Sequence, residues 1–145
     1  MSGIYLDPSA LVKWYVPEPG SDEIVEYLRQ SCPVFISLLT KVEMRSAIGR
    51  HARSGRLDAE TKSKILATFE GDIVAGHLQL VPLSANAFLT AESLLSAHPD
   101  VPLTSLDALH LGTALTSGLS ELATADRVMA QAAQQMGLGC RQFAL

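Results

Sequence analysis

Apolar residues along the chain fall into two kinds of run, short unbroken blocks and longer stretches with helical spacing, and the two kinds alternate. Residues 4–7 read as a strand ending in an acid, and Pro8 suits the first position of a helix over residues 9–16 with Asp7 as its cap. Pro17-Glu18-Pro19-Gly20 breaks that helix, and Ser21 caps another over residues 22–30. After Pro33 a second strand is expected at residues 34–37, then long helices at 38–53 and 59–75, closed by Ser54-Gly55 and Gly76. Residues 78–83 form a third strand on this reading, and Ser84 caps a helix that runs to about residue 97. Residues 121–125 and 140–143 supply the fourth and fifth strands, with a helix from Asp126 to Met136 between them. Strands separated by helices, without tight hairpin signals, require parallel crossovers and a sheet covered on both faces. The expected fold is therefore an α/β class, three-layer α/β/α sandwich in a single domain, with a mostly parallel five-stranded sheet.

One stretch breaks the pattern of apolar burial. Residues 103–115, LTSLDALHLGTAL, are apolar over most of a helical circumference, yet Asp107 lies inside the run. A carboxylate in such surroundings needs a hydrogen bond, a cation or a metal. Thr104 and Asp107 offer one answer, a T-x-x-D capping box at the helix start. Three other acids pose the same question. In an open parallel sheet, ligands collect at the carboxyl ends of the strands where strand order reverses. Asp7 ends the first strand and Asp126 follows the fourth, and the order 3-2-1-4-5 makes those strands neighbours. Glu43 shares a helix face with Leu39 and Ala47, toward the packed side. Each acid has a separate structural explanation, since Asp7 and Asp126 can act as N-caps and Thr40 to Glu43 spells a second capping box. A single acidic pocket accounts for all four at once.

Composition narrows the setting. The chain has 145 residues, 48% of them hydrophobic, with a mean hydropathy of +0.21, enough to bury a core without staples. Cys32 and Cys140 are far apart and show no metal or disulfide spacing, which fits a reducing cytoplasm. Neither a basic leader nor a membrane-length apolar run is visible. The formal net charge is −4, but Lys41, Arg45, Arg50, Arg53, Arg56, Lys62 and Lys64 crowd one segment against Glu43, Asp58 and Glu60. A basic rim beside an acidic pocket suits a phosphate-bearing ligand, and a solvated helix face explains the same charges.

Crowded carboxylates repel unless divalent cations neutralise them, and hard oxygen ligands without a cysteine or histidine cluster select Mg2+ or Mn2+. Such an ion activates water and steadies charge on phosphate, which points to phosphodiester hydrolysis. Two rival classes compete with it. A receiver or phosphatase also gathers acids at strand ends, but Asp7 is followed by Pro8 and Ser9, so the D-x-D of an aspartate-nucleophile phosphatase is absent. An inactive binding module on the same scaffold is the second rival, and the presence of all four acids speaks against it.

The quartet Asp7, Glu43, Asp107 and Asp126, in the contexts YLDPSALVKWYVPEPGS, TKVEMRSAI, LTSLDALHLGTAL and LATADRVMAQAA, resembles the PIN domain and, within it, the VapC toxins of type II toxin–antitoxin systems. The resemblance spans nearly the whole chain. It implies a Mg2+- or Mn2+-dependent endoribonuclease that forms a homodimer, acts on RNA in the cytoplasm and is neutralised by a small VapB-type antitoxin. By the same resemblance the four acids bind the metal, with Ser9 and Thr124 as supporting polar groups. Pro8 stands where the family usually has Ser or Thr, and Thr104 where many relatives have a basic residue. Lys41 and Arg45 flank Glu43 and are expected to reach the same pocket and touch RNA, whereas Arg127, beside Asp126, has two readings, a contact to substrate phosphate or a pair with a nearby acid. His110, three residues after Asp107, has two readings: a metal ligand, or a packed core histidine. Trp14 and Tyr15 could stack on bases or serve the core.

Overall fold

The computed structural model describes residues 3–30 and 33–143, so Cys32 lies outside the described residues. Five strands, β1 (Ile4–Leu6), β2 (Val34–Ser37), β3 (Gln79–Val81), β4 (Glu121–Thr124) and β5 (Gly139–Gln142), form one sheet in the order β3-β2-β1-β4-β5. Every pairing is parallel, including β1 with both β2 and β4. The expected order is met, and the sheet is wholly parallel.

Seven helices link the strands among the described residues: α1 (Pro8–Tyr15), α2 (Ser21–Gln30), α3 (Leu38–Arg53), α4 (Ala59–Val74), α5 (Ala85–Ala97), α6 (Ser105–Thr116) and α7 (Arg127–Gln135). Side chains of a strand alternate between faces, and the core divides accordingly. Ile4, Leu6, Val34 and Ile36 pack with α1 to α4, through Leu11, Ile24, Met44, Ile48 and Phe69. Tyr5, Phe35, Val81 and Leu122 face the other way and pack with Leu111, Ala114, Met129 and Ala133 of α6 and α7. Leu94 of α5 joins this second core. Helix α5 is reached through Gly112, where a Cβ would stand 2.6 Å from the carbonyl oxygen of Ala87. A glycine at that position allows the α5 and α6 backbones to touch.

Strand β3 is shorter than the expected residues 78–83. Pro82 has no N–H for the ladder, so pairing stops at Val81. The expected cap at α5 is present, with Ser84 accepting from the Ala87 N–H, and α4 is capped by Asp58, which accepts from the Thr61 N–H. Cys140 is a free thiol. No helix among the described residues is long and apolar enough to cross a membrane.

Candidate acidic active site

The carboxyl edge of the sheet opens into a cleft of about 290 Å³ lined by Asp7, Glu43, Asp107 and Asp126 together with Glu18, Ser9, Arg50 and His51. All four acids singled out in the sequence thus share one cavity. They arrive there by different routes. Asp7 directly follows β1 and is only 5% exposed. Its side chain makes no cap to α1, so the N-cap explanation fails for this acid. Instead Asp7 Oδ2 accepts from Ser9 Oγ and from Thr124 Oγ1, each at 2.6 Å. Ser9 Oγ accepts in turn from the Ala125 N–H at 2.9 Å, and Thr124 Oγ1 from the Asp126 N–H at 3.0 Å. The two hydroxyls, 3.2 Å apart, therefore join the β1 and β4 ends around one carboxylate.

For Asp107 and Asp126 the cap and the cleft are compatible. Asp126 Oδ1 accepts from the backbone N–H groups of Val128 and Met129, at 2.8 and 3.1 Å, and so opens α7. Asp107 Oδ2 accepts from the Thr104 N–H at 3.3 Å while Thr104 Oγ1 accepts from the Asp107 N–H at 3.1 Å, a complete capping box for α6. Each cap engages one oxygen of a two-oxygen group. Glu43 is different, because α3 starts at Leu38 and the reciprocal contact at its start belongs to Thr40 Oγ1, which accepts from the Ser37 N–H at 3.1 Å. Glu43 is thus not part of a capping box. Its Oε1 stands 2.5 Å from His110 Nε2.

Burial and mutual charge act together on these groups. Burial raises the pKa of Asp7 above the usual carboxylate value; His110 and the Ser9 and Thr124 hydroxyls oppose the rise, and the charge of Asp107 adds to it. Burial likewise raises Asp107, the Thr104 N–H lowers it, and the charge of Asp126 raises it further. This is the electrostatic condition that a divalent cation relieves, and an all-oxygen donor set suits Mg2+ or Mn2+. Among the described residues no three acids or imidazoles converge into a finished ligand shell, so the carboxylates ring the cleft instead of meeting at a point.

The cationic residues depart from expectation. Lys41 and Arg45 do not line the cleft. Lys41 Nζ lies 3.2 Å from Glu70 Oε2 and an Arg45 amino nitrogen 3.5 Å from Glu70 Oε1, which ties α3 to α4. Residues two apart on a helix do not share a face, so flanking Glu43 in sequence turns both away from it. Arg50 and His51 line the cleft in their place, two helical turns beyond Glu43. Arg127 is exposed beside Asp126. Glu18, also absent from the expected set, has a buried neighbour: Lys13 Nζ donates to the Pro19 carbonyl at 2.8 Å and stands 3.6 Å from Glu18 Oε1. Tyr15 donates to Asp72 and packs edge-on against Phe69, a role within the core.

A doubly covered parallel sheet with four acids in one cleft at its carboxyl edge is the arrangement that metal-assisted phosphodiester chemistry on an α/β/α scaffold calls for. Comparison with known proteins is more specific. Residues 4–135 match the PIN domain, and the chain belongs to that family. It is 34% identical over 140 residues to Ribonuclease VapC46 of Mycobacterium tuberculosis, a match covering 95% of both proteins. Ribonuclease VapC35 of the same species is 33% identical over 141 residues, covering 93% of each. Among solved structures, Mycobacterium tuberculosis VapC20, described as a sarcin-ricin loop cleaving toxin, superposes with a TM-score of 0.70 at 14% identity, covering 89% of this chain and 94% of that one. FitAB bound to an IR36 DNA fragment gives 0.72 at 20% identity, covering 96% and 94%.

Proposed function

We propose that the chain is a VapC-type toxin, an endoribonuclease that hydrolyses RNA phosphodiester bonds with Mg2+ or Mn2+ held by Asp7, Asp107, Asp126 and Glu43. The observation that carries the reading is the sharing of one cleft by these four acids, with the most buried of them clamped between two hydroxyls. When bound, the divalent ion supplies an acidified water and neutralises charge developing on the phosphate. The chain's own residues do the rest. Ser9 and Thr124 hold Asp7 at a fixed angle, and the N-terminal ends of α6 and α7 steady Asp107 and Asp126. Arg50 and His51, at the mouth, meet the phosphate backbone and position it without reading sequence. Arg127 is a further phosphate contact on this reading, whereas Lys41 and Arg45 brace α3 through Glu70. Membership in the family supports a VapB-type antitoxin as partner, a homodimeric assembly and a cytoplasmic setting.

The test is cleavage of total cellular RNA by purified protein stripped of antitoxin, with Mg2+ or Mn2+ and with chelator. Asp107→Asn protein prepared in parallel controls for contaminating nuclease. Discrete fragments that need the metal and vanish in the variant are expected, and the mapped ends identify the target. Metal-bound, antitoxin-free protein that cuts no RNA would overturn the reading in favour of an inactive PIN scaffold.

A further inference from the structure

We infer that His110 is a positioning residue, fixing the Glu43 carboxylate in the cleft through a buried chain of hydrogen bonds that starts and ends on α3. The inference rests on the reading of the cleft as a divalent-metal site. Of the four acids, Glu43 has the longest side chain, and among the described residues it has neither the backbone N–H ties of Asp107 and Asp126 nor the hydroxyl clamp of Asp7; its hydrogen bond is to His110 Nε2, at 2.5 Å. The imidazole is held from its other side, since Nδ1 lies 2.6 Å from the Tyr5 hydroxyl. Tyr5 donates to Ser37 Oγ at 3.0 Å, and Ser37 stands within 3.4 Å of Thr40 Oγ1. Thr40 and Glu43 are neighbours on one face of α3. The path therefore leaves α3 at Glu43, passes through α6, β1 and the end of β2, and returns to α3 one turn from where it began.

Every intermediate member is sealed from water: Tyr5, Ser37 and Thr40 are 0% exposed and His110 is 1% exposed. Packing alone does not call for an imidazole at that position, because a buried polar ring costs free energy unless both nitrogens are satisfied, and leucine would fill an apolar helix face without that cost. The hydrogen-bond chain also decides between the two readings of His110 from sequence. With one nitrogen on Tyr5 and the other on Glu43, neither remains for a cation. His110 thus acts on the metal through Glu43, in the way that residues behind a ligand orient it.

Calorimetric titration of Mn2+ into the metal-free protein, without RNA, tests this independently of turnover. His110→Leu is expected to weaken Mn2+ binding by about 10- to 100-fold, and His110→Gln, which still offers Glu43 an N–H, to recover most of that loss. In a Glu43→Gln background His110→Leu should cause no further loss, because its effect runs through Glu43. Tyr5→Phe, which keeps the ring and removes one hydroxyl, carries the same cycle if His110→Leu fails to fold. Unchanged Mn2+ affinity in these variants, or an equal loss with and without Glu43, would overturn the positioning role while leaving a nuclease intact. Wild-type protein that binds no Mn2+ would overturn the metal-site reading and this inference with it.

Discussion

The two acids carried by strand ends and the two carried by helix interiors or starts are held in different ways. Asp7 and Asp126 follow β1 and β4, adjacent parallel strands whose register the backbone sets. Their surroundings are crossed by hydroxyl and N–H donors from the same two strand ends, and Asp7 is nearly sealed. Glu43 and Asp107 enter from α3 and α6, which pack into the cores on opposite faces of the sheet. Glu43 is 27% exposed at the side chain, and Asp107 is fastened by a longer contact to a backbone N–H. Strand ends place a charge by topology. A helix places one through its own cap, as α6 does for Asp107, or through a side chain from another layer, as His110 does for Glu43.

Asp7→Asn breaks the strand-borne half most severely. RNA cleavage is expected to fall below detection, and the rise in melting temperature on adding Mg2+ or Mn2+ should disappear. The same variant should be more stable without metal. Because burial raises the folded-state pKa of Asp7 above its unfolded value, the folded protein holds that proton more tightly; stability is fully present below the unfolded value and declines as pH rises through the folded one. Above the folded value the charged, buried form weighs against the fold, and asparagine removes that charge. Melting curves in chelator from mildly acidic to neutral pH check this: wild type should lose stability relative to Asp7→Asn as pH rises. A parallel pair of curves would show that Asp7 contributes nothing to the slope.

A smaller effect follows from cutting the clamp and leaving the acid. Ser9→Ala or Thr124→Val should each reduce metal affinity or cleavage by about 10- to 100-fold, the usual range for groups that orient a ligand. Because both hydroxyls bind the same Asp7 oxygen, the double variant should lose less than the product of the two single losses. Multiplicative losses in Mn2+ titration would mean that the two hydroxyls act on separate features.

How far the sequence disclosed this site depended on the kind of relation involved. Parallel pairing and the position of Asp7 and Asp126 at strand ends followed from alternating elements and the strand-end rule, whereas the strand order, which alternation alone does not fix, entered as the order that makes the first and fourth strands neighbours. Capping residues are visible too, and cap and pocket do not exclude one another; Asp107 and Asp126 do both with different oxygens available. The clamp on Asp7 joins residues more than a hundred positions apart, and only family resemblance pointed to Thr124. The hydrogen-bond chain through His110 spans Tyr5, Ser37 and Glu43, a path that local periodicity does not contain. For the cations, the relevant signal was present and lay in the helical period. Counting by position along the chain favoured Lys41 and Arg45, whereas counting by turns favours Arg50.

That helical geometry supplies the mildest test, in which two sets of arginines and lysines on one helix are separated by function. Arg50 lines the acidic cleft, and its own side chain is steadied by Ser46 Oγ at 3.0 Å, with no carboxylate taking up its charge among the described residues. Arg45 and Lys41 share Glu70 on α4, at distances where partly exposed pairs contribute about 0–1 kcal/mol. A phosphate held by Arg50 displaces counterions from single-stranded RNA, so Arg50→Ala should lower the slope of log affinity against log salt by about 0.7. Lys41→Ala should leave that slope nearly unchanged and act, if at all, on the melting temperature. Binding of a labelled single-stranded RNA in chelator, measured by fluorescence anisotropy across a salt series, reads both variants without cleavage. The reverse result, a reduced slope for Lys41→Ala and none for Arg50→Ala, would mean that Glu70 releases its partners to the RNA and that the cleft's mouth lies on the α4 side of α3.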